Sequence, residues 1–330
     1  MPKDRQPVLF IYTNSYDLSA DVLIRRLGNA AVFRFNLDLA QDYAIKIDRH
    51  RARFANPGGR TVDSKDIAKF LWRKPLTNAQ LYPDRGFPRE QTYEEEELAY
   101  AMREVWNAMY YSARAVLIDP LSDAIAGKLV QAQIAQRYFP VPDWTVTSGQ
   151  AGWPADAPQV AKSFTSSRTG DRSVLFTTRV EVDQLSPKSP WFLQSFVAAE
   201  HDVTVVAVRD ALFAFSLERA ALPAGVVDWR RARILEPAQN WIAHALPAEF
   251  ATAIRRFMSD MCLRYGRLDF LLRGGTYYFL EVNPNGEWGW LDPSGDAGIV
   301  DALVAELSPE TPCHPLPNPR IIRAGPEAAW

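Results

Sequence analysis

The stretch that most constrains this chain is residues 267–285, Arg-Leu-Asp-Phe-Leu-Leu-Arg-Gly-Gly-Thr-Tyr-Tyr-Phe-Leu-Glu-Val-Asn-Pro-Asn, with an acid on one apolar run and an acid and an amide on the next. Leu268, Phe270 and Leu272 alternate with Asp269 and Leu271, and Tyr278, Leu280 and Val282 alternate with Phe279, Glu281 and Asn283, the period of two expected of strands. Gly274-Gly275 supplies the reversal between them. A one-residue slip would send one apolar set to solvent, so if both sets share the core face, Asp269 pairs opposite Glu281. That register calls for an odd-length loop such as 274–276 and not a two-residue Gly-Gly turn. Asp269, Glu281 and Asn283 then share one face, the last two roughly 6.5 Å apart along their strand. Hard oxygen donors completed by water and phosphate suit Mg²⁺. The ordinary alternative is an amphipathic hairpin with a wet polar face. Against it stand the third donor on the partner strand and the Pro284-Asn285-Gly286 that follows.

At 330 residues and 47% apolar, the chain can bury large cores and suggests two or three domains. A formal net charge of −2 provides no broad basic field, which disfavours a nucleic-acid partner. Cys262 and Cys313 have no metal spacing, and Cys262, among Met258, Met261 and Leu263 on an expected helix, reads as a buried thiol in a reducing compartment. The apolar run at 8–12 is too short for a signal sequence, and nothing approaches the ~18 continuous apolar residues of a membrane span. A cytoplasmic protein without membrane association is expected. His50, His201, His244 and His314 form no spacing that suggests a base or a metal cluster.

Along the chain, 8–12 is a buried-strand run, Asp17 or Ser19 can cap a helix through Leu27, Gly28 can end it, and 31–35 reads as the next strand. This open α/β start lacks a glycine-rich phosphate loop, so dinucleotide binding is not expected there. Leu98, Met102, Val105, Trp106, Met109 and Tyr110 recur at helical spacing over 94–112 and read as a packed stripe, while the run of glutamates at 94–97 suits a solvated helix start. Pro120 after 116–119 marks a boundary, and 123–137 reads as the helix opening a central domain. Residues 159–162, 176–180 and 191–197 read as further strands. The prolines after Leu307 predict an extended tail at 308–330 that carries His314.

Phe-Leu-Glu-Val-Asn-Pro-Asn-Gly-Glu-Trp-Gly-Trp at 279–290 resembles the closing motif of the ATP-grasp ligases, most of all the microviridin-type (graspetide) macrocyclases that mature ribosomal peptides. The segments 12–17, 33–36 and 71–75 resemble the N-terminal domain of that branch, and Arg73 is either functional or a charge at a strand end. The resemblance implies an α/β ATP-grasp fold: an N-terminal pre-ATP-grasp domain (1–120), a central subdomain (121–197), a C-terminal subdomain with the metal site (198–307) and a Pro-rich tail (308–330). It also implies Asp269, Glu281 and Asn283 as Mg²⁺ ligands. Gly-Lys-Leu at 127–129 and Val-Ala-Lys at 160–162 place Lys128 and Lys162 as the lysines of the α- and β-phosphates, a task suited to adaptable point charges. Gln194, Ser195, Phe196 and Val197 match the hinge whose backbone reads adenine. Asp202 matches a nucleotide-side acid, and the segment 163–173 matches a loop closing over the triphosphate. In Asp228-Trp-Arg230 the arginine matches one that faces the transferred phosphate, where its fork can hold oxygens bidentately. One position departs: relatives usually have Asp-x-Arg where this chain has Asp202-Val-Thr204, and Arg209 or Arg179 would have to substitute.

The implied activity is ATP-dependent activation of Asp or Glu side chains of a ribosomal precursor peptide (leader and core) as acyl phosphates, then ester or amide cross-linking. ATP and Mg²⁺ are the implied cofactors, and a homodimer is left open. A ligase joining a free amino acid to a peptide or small acid shares every ATP residue, and a non-catalytic peptide-binding module is the second alternative.

Overall fold

The computed structural model describes residues 6–77, 92–122, 127–148, 159–162, 164, 177–180, 185, 190–231, 240–314 and 316. Its N-terminal unit begins with the fully buried strand β1 (Val8–Thr13) and the helix α1 (Leu18–Leu27), followed by β2 (Val32–Asn36). The Asp17 carboxylate accepts from the Ala20 N–H at the start of α1, and the Gly28 N–H closes it on the Ile24 carbonyl. Next comes a three-stranded antiparallel sheet of β3 (Ala44–Asp48), β4 (Arg51–Ala55) and β5 (Thr61–Asp63). The chain then returns as β6 (Ile67–Trp72) to complete a parallel sheet of order β2-β1-β6. Helix α2 (Tyr93–Tyr111) carries a Thr92–Glu95 capping box, and its Met102, Val105, Trp106 and Met109 join an aromatic core of Phe10, Phe33, Phe35, Phe54 and Phe70.

Helix α3 (Lys128–Ala135) is followed by an antiparallel sheet of four strands, order β7-β10-β8-β9: β7 (Trp144–Thr147), β8 (Gln159–Lys162), β9 (Thr178–Val180) and β10 (Trp191–Ser195). The last unit is a five-stranded antiparallel sheet of order β13-β12-β11-β14-β15. Its strands are β11 (His201–Val208), β12 (Ala211–Glu218), β13 (Ile242–Ala243), β14 (Tyr265–Arg273) and β15 (Thr276–Asn283). Helix α4 (Ala248–Asp260) precedes β14, and α5 (Ile299–Leu307) follows β15.

The two faces of the five-stranded sheet do different work. On one, Val203, Val205, Ala207, Leu268, Phe270, Phe279 and Val282 pack beneath α3 and α4 through Ile134, Ile254, Phe257 and Met258. On the other, Val206, Val208 and Tyr265 pack with α5 against Leu9, Ile11, Val22 and Leu23 of the N-terminal unit. Further along that second face the apolar residues give way to Asp202, Thr204, Asp269 and Glu281, because side chains alternate across a strand and β11 pairs Thr204 with Asp269.

Asp269 does pair opposite Glu281, but the expected route to that register is wrong. Gly274 and Gly275, at φ +54° and +77°, make a two-residue turn with Arg273 opposite Thr276. The odd residue is absorbed as a β-bulge, because Phe270 pairs with Phe279 and Leu280 is left over. Before the bulge the alternation is therefore inverted: Tyr277 and Phe279, not Tyr278 and Leu280, enter the core. Cys262 also departs from expectation. It lies beyond the end of α4 in a left-handed conformation (φ +54°), half-buried and not within the helix. Of the segment 123–137, 123–126 lie outside the described residues. So do most of 163–173 and of the tail beyond 314.

Among the described residues, no helix is long and apolar enough to cross a membrane.

Candidate active site

A cavity of about 350 Å³ lies between the four-stranded sheet and the second face of the five-stranded sheet. Lys128, Lys162, Gln194, Ser195, Phe196, Val197, Asp202, Arg230, Asp269, Glu281 and Asn283 all line it, although they are up to 155 residues apart in sequence (283 − 128). Lys128 is the first residue of α3 and projects from its end, Lys162 ends β8, and 194–197 run out of β10 toward β11.

Every charge in the cavity has an opposite neighbour. Lys128 Nζ donates to Glu281 Oε2 at 3.0 Å, and Arg230 approaches Glu281 Oε1 at 3.7 Å. Burial works against the charge of Glu281, yet Lys128, Arg230 and Lys162 hold its carboxyl down to about 2. Burial pushes the Lys162 amine down to about 8 against the attraction of Glu281. The Arg230 fork grips Asp228 through Nε at 2.8 Å and Nη2 at 2.7 Å. Asp228 also accepts from the Thr177 N–H at 3.2 Å. Burial raises the Asp202 carboxyl to about 7 even though Arg219 donates to it at 2.7 Å.

Thr204 is buried, and its hydroxyl donates to Asp269 Oδ1 at 2.8 Å. Neither Arg209 nor Arg179 is the partner of Asp202 or Asp269. Arg209 sits at the far end of β11 and pairs with Glu306 at 3.0 Å. Arg179 lies over the Phe196 ring, 3.7 Å from its centroid. The cations that do reach this corner were missed by the sequence reading. Arg267 donates to Asp269 Oδ2 at 3.1 Å, and Arg219 lines the cavity beside Asp202. Arg267 was legible as the residue two before Asp269 on the same strand, hence on the same face. Arg219 carried no local signal, because only the register of β12 against β11, Leu217 opposite Asp202, brings it there.

Asp269, Glu281 and Asn283 are oxygen donors on adjacent strands, the type that Mg²⁺ accepts. Each is satisfied internally: Glu281 by Lys128, Asp269 by Thr204 and Arg267, and Asn283 Oδ1 by the Asn285 N–H at 3.0 Å. Among the described residues no group of three or more His, Cys, Asp or Glu could hold a metal unaided. The donor set nevertheless fits Mg²⁺, which usually binds through one or two carboxylates plus phosphates and water. Arg73 lies outside the cavity, where Nη1 donates to the Asn285 carbonyl at 2.9 Å and Nη2 to Glu287 at 2.7 Å. It anchors the loop that follows Asn283.

No family model matches the chain, and no curated protein matches it. Solved structures do resemble it. A RiPP-associated ATP-grasp ligase of Chryseobacterium gregarium, in complex with ADP and a leader and core peptide, superposes with TM-score 0.73 at 21% identity over 93% of this chain and 98% of that one. The macrocyclase MdnC of Microcystis aeruginosa, bound with its precursor peptide MdnA, gives 0.71 at 18% identity over 91% and 98%. D-alanine–D-alanine ligase of Bacillus anthracis, complexed with ATP, gives 0.53 at 15% over 89% and 92%. This chain therefore has the ATP-grasp fold.

Proposed function

We propose that the chain is an ADP-forming carboxylate ligase that uses ATP with Mg²⁺ on a ribosomal precursor peptide. The observation that carries this reading is the convergence of Lys128 and Arg230 on Glu281, in one cavity with Lys162, Asp269, Asn283 and the 194–197 segment. A polyphosphate entering there would meet the lysine charges, and Asp269, Glu281 and Asn283 would hold Mg²⁺, which neutralises charge on phosphoryl oxygens. Lys128 and Lys162 orient the phosphates, the backbone of 194–197 reads the adenine edge, and Arg230 faces the transferred phosphoryl group. A substrate carboxylate attacks the γ-phosphorus, ADP leaves, and a hydroxyl or amine displaces phosphate from the acyl phosphate. Positioning and charge stabilisation suffice, so no nucleophilic side chain of the protein is needed.

The fold relatives solved with leader and core peptides, or with a precursor peptide, support a peptide as the substrate here. The working units are 1–120, 121–197 and 198–307, because the parallel sheet, the four-stranded sheet and the five-stranded sheet fall within them in that order. Co-expression with a candidate precursor peptide carrying repeated Thr, Asp and Glu, followed by mass spectrometry, tests the reading. Loss of one water per ring supports it, an added amino-acid mass supports a free-amino-acid ligase, and ADP release without either product would overturn macrocyclisation.

A further inference from the structure

Arg219 follows β12 directly, in a short 3-10 turn, and reaches back into the cavity with its side chain only 12% exposed. Its guanidinium has two partners from different elements. Nη1 donates to Asp202 Oδ2 at 2.7 Å, next to the end of the cavity formed by 194–197, and Nη2 donates to the Val227 carbonyl at 2.9 Å. Val227 is the residue before Asp228-Trp229-Arg230, a segment without regular sheet pairing. The polar chain then continues from Asp228 to Arg230 at 2.7 Å, from Arg230 to Glu281 at 3.7 Å, and from Glu281 to Lys128 at 3.0 Å.

We infer that Arg219 is a positioning residue that tethers the segment carrying Arg230 to Asp202, so that nucleotide bound at Asp202 and the phosphoryl-facing arginine are held in one geometry. This rests on the ligase reading above. The guanidinium gives Nη1 to Asp202 and Nη2 to the Val227 carbonyl in one fixed fork, whereas a lysine has a single, freely rotating nitrogen, which keeps the charge opposite Asp202 but loosens the hold on Val227. Binding and turnover are therefore expected to separate, since a misplaced Arg230 costs stabilisation made only in the transition state.

The test compares Arg219→Lys with Asp202→Asn, measuring ADP affinity by calorimetry, kcat and KM for ATP, and amide exchange across 226–231. Arg219→Lys is expected to keep ADP affinity within about threefold, lower kcat about tenfold or more at unchanged KM, and speed exchange at 226–231 about tenfold. Asp202→Asn keeps an oxygen that can accept from Arg219, and so keeps the tether, but removes the carboxylate charge; it is expected to weaken ADP binding and raise KM, with a smaller fall in kcat than in Arg219→Lys. Equal loss of affinity and kcat in Arg219→Lys, or unchanged exchange at 226–231, would overturn the tether. A wild-type protein that binds no ADP would instead overturn the ligase reading, and the tether's role with it.

Discussion

At the scale of single residues, the site is a set of charges held apart by their environments. Glu281 stays ionised through the whole physiological range because Lys128, Arg230 and Lys162 outweigh the cost of its burial. Glu281→Gln keeps the shape but removes that charge, and Asn283→Ala removes an amide oxygen. Each is expected to lower turnover by about 10²–10³, the loss typical of one transition-state contact, while circular dichroism and thermal melts stay near wild type. Full Mg²⁺-dependent activity in either variant would exclude these residues as metal donors. Lys162 sets a pH limit. Its amine, near 8 in the free protein, is charged below that and loses its proton above it, so ADP affinity should fall as pH rises from about 8 to 9.5. Phosphate binding favours the protonated amine, so the slope can approach one log unit of affinity per pH unit, the limit for one proton. In Lys162→Met that limb should vanish, and titrations across pH would show it.

The hairpin shows how an element reconciles a turn rule with a register rule. Adjacent glycines favour a two-residue turn with φ positive at both centres, while the core needs Asp269 opposite Glu281; the bulge at Leu280 satisfies both. It also brings Leu280 to the cavity wall beside Glu281. Gly275→Ala would place a Cβ at φ +77° and is expected to cost about 1–2 kcal/mol, read as a lower melting temperature with the Asp269–Glu281 pairing retained. Gly286, in the loop after β15, is held by proximity and not by its dihedral. A Cβ there would lie 2.5 Å from that of Arg267, so Gly286→Ala should displace Arg267 from Asp269 and be worse for activity than for stability.

For the whole molecule, the junction that matters joins the N-terminal unit to the loop after Asn283. Buried Arg73 ends the run of β6 and holds Asp17 at 3.4 Å, Glu287 at 2.7 Å and the backbone of 285–286. Lys74 adds a second contact to Glu287 at 3.0 Å, and Ser19 a third at 2.7 Å. Arg73→Met would leave the buried Asp17 without its cation and the 285–286 carbonyls without their donor, for which a loss of about 3–5 kcal/mol is expected in denaturant unfolding. Because β15, with Glu281 and Asn283, leads into the loop held at this junction, ADP affinity in the surviving folded fraction should fall as well. Unchanged stability would mean that the network is dispensable to the fold.

Local pattern alone carried a good deal here. The capped run 17–28 predicted α1 and the stripe on 94–112 predicted the buried face of α2, since both depend on neighbours within a few residues; the Asp269–Glu281 pairing was reached as well, although the alternation of Tyr278 and Leu280 behind it did not hold. The resemblance at 279–290 extended this to Lys128, Lys162 and 194–197, which the structure gathers around one cavity. What the tertiary structure decided are contacts between distant segments: Arg219 on Asp202, Thr204 and Arg267 on Asp269, and Arg73 on Glu287. The bulge belongs with them, since it answers a conflict between a local turn and a distant core. Such choices cannot be read locally, because a side chain's partner depends on which strand lies beside its own, and the burial of many other residues sets that neighbour.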